Sequence, residues 1–260
     1  MSSKQRLDVL LTEQGLAASR EKARAMIMAG EVLVNGSVVD KPGTQVQDSV
    51  VLTIRNKPRF VSRGGEKLAW ALGEFNLDVA GRVCADVGAS TGGFTDCLLQ
   101  NSVTRVYAID VGYGQLDYSL RQNNRVIVLE RTNARYLESL DEPIQFVTVD
   151  ASFISLKLLL PVAKGWLTPQ ADVVVLIKPQ FEAGRQDVGK GGVVKNQDVH
   201  IRVLEDVLAF AKLIGFVVQG LTVSPLKGPA GNIEFLAWLS WGYGQQDSPE
   251  IQSLIQSVIS

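Results

Sequence analysis

Apolar positions along the first sixty residues recur in short bursts, first with helical period and then with alternation. Leu7, Leu10 and Leu11 share one face of a helix expected over Arg6 to Gln14. Ser19 is a good N-cap for a second helix, in which Ala23, Met26 and Ile27 follow at helical spacing before Gly30 stops it. Glu31 to Val39 predicts a β-hairpin turning on Asn35-Gly36, a favoured type I′ pair. Pro58 then disfavours continuation of either element. The reading is a small α+β module over 1–55, a linker over 56–61 and a larger domain over 62–260.

In that larger domain strands and helices alternate. A helix from Lys67 to Phe75 precedes a strand at Arg82 to Val87, a helix from Phe94 to Gln100 and a strand at Arg105 to Ile109. Strands follow at Arg125 to Leu129, Ile144 to Val149 and Val173 to Ile177, then a long helix from Gln197 to Leu213. Two β-rich runs, Phe216 to Val223 and Ile233 to Leu239, close the domain without a helix between them. The expected fold class is therefore α/β, a mainly parallel sheet with an antiparallel edge hairpin. The amphipathic tail of Ile251, Leu254, Ile255 and Val258 is expected to fold back on this domain.

Charge changes the picture in one respect. The net charge of −1 conceals nine basic against six acidic residues in the first sixty, with the acidic excess in the remainder. A basic arm on an acidic body fits an RNA-docking module joined to an enzyme. Two cysteines, Cys84 and Cys97, supply neither a disulfide framework nor a spaced metal-ligand cluster, and favour a reducing, cytoplasmic setting. Charges at Lys4, Arg6 and Asp8 argue against a secretory signal, and no apolar run approaches the length of a membrane span. The single histidine, His200, opens a polar helix start, so neither a histidine triad nor a metal site is expected.

Glycines after a strand let the backbone turn tightly and approach a ligand, and the next helix offers free N–H groups. Ala85-Asp86-Val87 runs into Gly88-Ala89-Ser90-Thr91-Gly92-Gly93-Phe94 in this manner. The segment resembles the first motif of class I S-adenosylmethionine-dependent methyltransferases. That resemblance implies cofactor contacts at Asp86, Gly88, Ala89, Ser90, Gly92, Gly93 and Phe94, on a Rossmann-like sheet. One strand later Asp110 stands where an acid can bind a ribose diol. Asn133 is a further candidate for adenine contact, although helix capping explains it equally well.

Ligands of open α/β sheets collect outside the carboxyl ends of the strands. Asp150 and Lys178 end two expected strands there; Glu234 begins the last strand and Lys67 opens the helix before the first, both at that end. The four resemble the Lys-Asp-Lys-Glu set of FtsJ-like ribose 2′-O-methyltransferases. The order helix, basic helix, Asn-Gly hairpin over Gln5 to Thr53 resembles an RNA-binding module of a ribosomal small-subunit protein and of pseudouridine synthases. Together with Ser62-Arg63-Gly64-Gly65, the loop Gly189 to Val194 and Gly231 to Leu236, the whole chain is similar to the TlyA family. Its members are ribosomal RNA cytidine 2′-O-methyltransferases that also carry a haemolysin label.

The resemblance implies S-adenosylmethionine as cofactor, ribosomal RNA or ribosomal subunits as partner and no stable membrane association. RNA contacts are expected from Arg6, Arg20, Lys22, Arg24, Arg63 and Lys190. In-line methyl transfer requires the ribose oxygen to be aligned and its proton removed or its developing charge stabilised. A lysine base at neutral pH must fall from about 10.4 to roughly 7–8. Lys178 is expected at the chemistry as base or oxyanion stabiliser. Lys67 is expected to supply a neighbouring positive charge, and Asp150 and Glu234 to orient the lysines. Competing readings are a non-catalytic ribosome-assembly protein with a degenerate methyltransferase domain, and a membrane-lysing toxin.

Overall fold

The computed structural model describes residues 4–55, 58–243 and 249–259 in two compact units, the first ending at Pro58 and the second beginning at Arg59. Asn56 and Lys57 of the expected linker lie outside the described residues. Pro58 falls in the first unit, and Arg59, Phe60 and Val61 fall in the second. Phe60 is 3% exposed in the core of the second unit, and the Val61 N–H donates to Asp96 Oδ2 at 2.8 Å.

The first unit comprises β1 (Lys4–Arg6), α1 (Leu7–Glu13), α2 (Arg20–Met28), β2 (Val32–Val34), β3 (Ser37–Val38), β4 (Gln45–Gln47) and β5 (Leu52–Ile54). Leu7, Leu10 and Leu11 are buried with Ala23, Ile27 and Val32, as their spacing requires. Ser19 accepts from the Lys22 N–H and caps α2. Asn35 and Gly36 both take positive φ, 50° and 81°, the geometry of a type I′ hairpin turn. The antiparallel pair β1 and β4, three residues each, carries too short a pattern to have been foreseen.

In the second unit, α3 (Gly64–Glu74) leads to β6 (Val83–Val87), α4 (Gly93–Gln100), β7 (Arg105–Ile109), α5 (Tyr118–Arg121) and β8 (Val126–Leu129). Then follow β9 (Ile144–Val149), α6 (Leu156–Trp166), β10 (Leu167–Ile177), α7 (Pro179–Glu182), α8 (Gln197–Leu213), β11 (Val217–Val223), β12 (Phe235–Trp241) and α9 (Ile251–Ile259). The sheet order is β11-β12-β10-β9-β6-β7-β8, with only β12 reversed, so the reversed strand lies second from the edge. Alternate strand residues pack on opposite faces. Ala85, Val87, Val147 and Val149 meet α6, α8 and α9, whereas Cys84, Val106, Phe146 and Val174 meet α3 and α4.

The short α5 and α7 were not expected, β10 begins at Leu167 rather than Val173, and α3 and α6 also depart from expectation. α3 begins at Gly64, three residues before Lys67, and Gly65 within it is pressed so closely on Phe60 that a Cβ would lie 2.2 Å from its ring. α6 was not expected; Leu156, Leu159, Leu160, Ala163 and Trp166 bury one helical face although Pro161 lies inside it.

Candidate active site

Two adjoining cavities, of about 270 and 450 Å³, open at the carboxyl ends of β6, β7, β9 and β10. Gly88, Ser90, Asp150 and Ser152 line both. The smaller holds the lysines and the larger holds Asp110.

The loop between β6 and α4 forms the shared wall. Gly88 has φ +84°, and a Cβ there would sit 2.6 Å from the Asp150 carbonyl oxygen, so only glycine lets these two strand ends close up. Gly93 similarly faces Ser62 and Gly65, where a Cβ would clash at 2.3 Å with Ser62 Oγ. Ala89, Ser90, Gly93 and Phe94 line the smaller cavity as expected of a ligand loop. Gly92 does not. It caps α4 in the left-handed region and points at Leu120 and Leu116, so its task is backbone geometry and core packing.

Asp86 also departs from expectation. Strand alternation turns it away from both cavities into the α4 side of the core, where it is fully buried and accepts from Thr95 Oγ1 at 2.6 Å and Thr148 Oγ1 at 3.0 Å. Burial pushes its carboxyl up to about 6, against the pull of the two threonine hydroxyls. It cannot touch a ligand directly.

Asp110 lines the larger cavity and accepts from the Ser90 N–H at 2.8 Å and the Gly112 N–H at 2.7 Å. One carboxylate thus ties the glycine loop to the next strand, with lone pairs left for a diol. Asn133 caps a short 3₁₀ turn by accepting from the Arg135 N–H and also lines the larger cavity.

Lys67, Asp150, Lys178 and Glu234 come together as two ion pairs. Lys178 Nζ lies 2.6 Å from Asp150 Oδ1 and donates to Ser152 Oγ at 3.0 Å. Lys67 Nζ lies 2.5 Å from Glu234 Oε2, with side-chain exposures of 11% and 1%. Each lysine is thus matched by its own carboxylate, Lys178 by Asp150 and Lys67 by Glu234. Glu234 stands behind the cavity wall, holding Lys67, and Gln180 Nε2 approaches its other oxygen at 3.4 Å.

Arg63 lines the smaller cavity. Lys190 is exposed in the 189–193 turn, whose place is set by Asn232: its side chain donates to the Gly192 carbonyl and accepts from the Val194 N–H. In the first unit Lys22 and Arg24 are exposed, whereas Arg6 and Arg20 share the fully buried Asp8 at 2.9 and 3.1 Å. Those bonds hold the Asp8 carboxyl down at about 2 and fix both guanidinium groups at the surface. His200 is a buried packing group, its Nε2 3.1 Å from the Val194 carbonyl oxygen.

Sequence reasoning missed Ser152, Lys227 and Phe153. Phe153 is 90% exposed at φ +64°, with its ring 4.8 Å from that of Phe181, itself below Lys178 Nζ. A large exposed aromatic in a strained backbone was the available signal only once the fold was known. Among the described residues, no group of three or more His, Cys, Asp and Glu side chains is placed to hold a metal, and no helix is long and apolar enough to cross a membrane.

A parallel sheet with one inserted reversed strand, a glycine loop at its switch point and paired lysines and carboxylates beside it define a group-transfer enzyme of the methyltransferase class. The chain belongs to the FtsJ-like methyltransferase family, whose model matches residues 60–241, and an S4 domain model matches residues 5–52. It is 46% identical over 243 residues to the 16S/23S rRNA (cytidine-2′-O)-methyltransferase TlyA of Mycobacterium tuberculosis, covering 92% of this chain and 91% of that protein. Hemolysin A of Brachyspira hyodysenteriae is 43% identical over 237 residues, covering 89% and 98%. A solved structure of a candidate hemolysin from Streptococcus thermophilus superposes with a TM-score of 0.72 at 46% identity, covering 99% and 96%.

Proposed function

We propose that the protein transfers a methyl group from S-adenosylmethionine to a ribose 2′-hydroxyl of ribosomal RNA, at a cytidine. The observation that carries this reading is the two lysine–carboxylate ion pairs at the smaller of two adjoining cavities, one of them through Asp150 on the wall the cavities share, in a chain related along its length to TlyA. The larger cavity fits an adenosine in kind. It offers apolar walls at Val87, Ile109, Ala134 and Leu159, an acid at Asp110 and an amide at Asn133. Gly88, Ala89, Ser90, Gly93 and Phe94 would hold the methionine part. When bound, the cofactor supplies an electrophilic methyl on a sulfonium.

The chain's own residues do the rest. Lys178, fixed by Asp150 and Ser152, is placed to receive the ribose oxygen and to stabilise the negative charge that develops on it. Asp150, at the boundary of both cavities, aligns that lysine with the site of transfer. Lys67 and Glu234 hold the opposite wall in a fixed charge arrangement. Phe153, exposed beside Ser152, offers a stacking face for an unpaired base. Arg20, Lys22 and Arg24 of the S4 domain, with Arg6 and Lys190, are suited to phosphate contacts that position the RNA without reading its sequence. The reaction places the protein with ribosomes in the cytoplasm.

The test is incubation of the purified protein and labelled S-adenosylmethionine with separated ribosomal subunits and naked ribosomal RNA, followed by mapping of 2′-O-methylation. A methylated cytidine is expected. Absence of label from every RNA, or label on a base, refutes the reading.

A further inference from the structure

The smaller cavity carries more positive charge than its methyl-transfer set uses. Arg63, Lys67, Lys178 and Lys227 line it, Asp150 is the only carboxylate among its lining residues, and Glu234 stands behind Lys67. Each carboxylate is already committed to one lysine. That leaves Arg63 and Lys227, both exposed, without an ion-pair partner among the described residues.

The two arrive from different walls on well-fixed supports. Arg63 is the N-cap residue of α3, one turn before Lys67. Lys227 lies in the 224–231 loop, where Ser224 Oγ donates to the Leu226 carbonyl at 2.8 Å and the Gly228 N–H donates to the Asn232 carbonyl at 2.9 Å. Gly228 packs directly on Glu234, since a Cβ there would lie 2.5 Å from Oε1. The loop is therefore braced against the same carboxylate that holds Lys67.

A ribose hydroxyl is uncharged, and the methyl donor bears a sulfonium and an ammonium against one carboxylate. Neither calls for two further cations. A phosphodiester chain does, because it carries one negative charge on each side of the nucleotide to be modified, and exposed Lys and Arg side chains recognise phosphate as charge and as fork. We infer that Lys227, together with Arg63, clamps the RNA backbone on two sides of the target ribose and so positions its 2′-hydroxyl at Lys178. This rests on the RNA-methylation reading above and makes Lys227 a positioning residue within it.

The test compares the full-length protein with Lys227→Ala and Lys227→Arg. Three quantities are read: the salt dependence of binding to naked ribosomal RNA, S-adenosylmethionine affinity by calorimetry, and kcat and KM for RNA. Removing one phosphate contact should lower the log–log salt slope by about 0.7–0.9. For Lys227→Ala, RNA KM should rise roughly five- to twentyfold and kcat at saturation should fall severalfold, because the 2′-hydroxyl is held less well in line, while cofactor affinity stays near wild type; Lys227→Arg should restore both. An unchanged slope and KM would overturn the inference. So would lost cofactor affinity with unaltered RNA binding, which would mean that Lys227 serves the donor's carboxylate. A wild-type protein that binds RNA without methylating it defeats the functional reading while the salt slope still judges Lys227. A wild type that binds no RNA defeats both.

Discussion

Lys178 and Asp150 meet at 2.6 Å across the ends of two neighbouring parallel strands, β10 and β9. The register that pairs Val175 with Val149 brings both residues to the cavity mouth, so sheet hydrogen bonding itself sets the distance between the proposed catalytic lysine and its carboxylate. Lys178→Ala should lower kcat by roughly 10²–10⁴, the usual range for one proton-handling or charge-stabilising group. Asp150→Asn should lower it less, because the lysine remains but is held only by Ser152. Both should bind S-adenosylmethionine nearly as the wild type does. Turnover by Lys178→Ala within tenfold of wild type would remove it from the chemistry.

The second pair makes a different prediction, because it is more deeply enclosed. Glu234→Gln leaves Lys67 charged beside a neutral amide at a site where its side chain is 11% exposed. Breaking such a pair costs about 3 kcal/mol, more than its intact partners contribute. The double variant Lys67→Met with Glu234→Gln should recover much of the lost stability and none of the activity. Chemical denaturation with activity measured in parallel separates the two effects; if the double variant is as unstable as the single one, the pair is not the unit of stability.

Much of the architecture was legible before the fold was known, for reasons that differ by residue. Leu7, Leu10 and Leu11 bury one face because helical spacing leaves no alternative, and Asn35-Gly36 turns because both positions accept positive φ. The strand ends bearing Asp110, Asp150 and Lys178 followed from apolar runs stopping at a charge. What failed was whatever depends on which face a residue occupies or on a distant neighbour. Asp86 adjoins the glycine loop in sequence, yet strand alternation sends it into the core. α6 was passed over although Leu156, Leu159, Leu160, Ala163 and Trp166 recur at helical spacing, and its buried face outweighs the hydrogen bond that Pro161 lacks. That carboxylates would orient the lysines was expected, but which carboxylate meets which lysine is set by the fold. Ser152 and Lys227 lie in loops with no periodicity to mark them, and only the cavity reveals them.

At Gly88 the constraint is both conformational and steric. A side chain would be strained at φ +84° and would meet the Asp150 carbonyl oxygen at 2.6 Å. Gly88→Ala should cost about 1–3 kcal/mol of stability. It should also weaken S-adenosylmethionine binding, since relief of the clash must part the two strand ends that border both cavities. Calorimetry that finds wild-type cofactor affinity in a folded Gly88→Ala protein would count against the loop's role.

Phe153 offers the opposite case, a residue whose loss should not matter to the fold. It is 90% exposed and held in the left-handed region, so Phe153→Ala should leave stability within about 0.5 kcal/mol. If its face receives the base of the target nucleotide, loss of stacking worth about 1–3 kcal/mol should lower kcat/KM for RNA by roughly five- to 150-fold. Cofactor affinity should be little changed, and Phe153→Trp should retain activity. Equal kcat/KM for Phe153→Ala and wild type would exclude a stacking role.

Asp86 makes the stability of the second unit depend on pH. Its carboxyl titrates at about 6 in the folded protein against 3.8 when unfolded, because burial penalises the charge more than Thr95 and Thr148 stabilise it. Between these values the folded state binds more protons at Asp86 than the unfolded state, so this residue's contribution to stability falls as pH rises from about 4 to about 6 and levels off above. A shift of this size corresponds to a cost of about 3 kcal/mol at neutral pH. Asp86→Asn removes the ionisation, and the difference between variant and wild type should move in the variant's favour by roughly that amount between pH 4 and pH 7. All four tryptophans, Trp70, Trp166, Trp238 and Trp241, lie in the second unit, so their fluorescence during urea denaturation reports this unit in the full-length protein. A stability difference between the two proteins that is constant from pH 4 to pH 7 would mean that Asp86 does not titrate in that range.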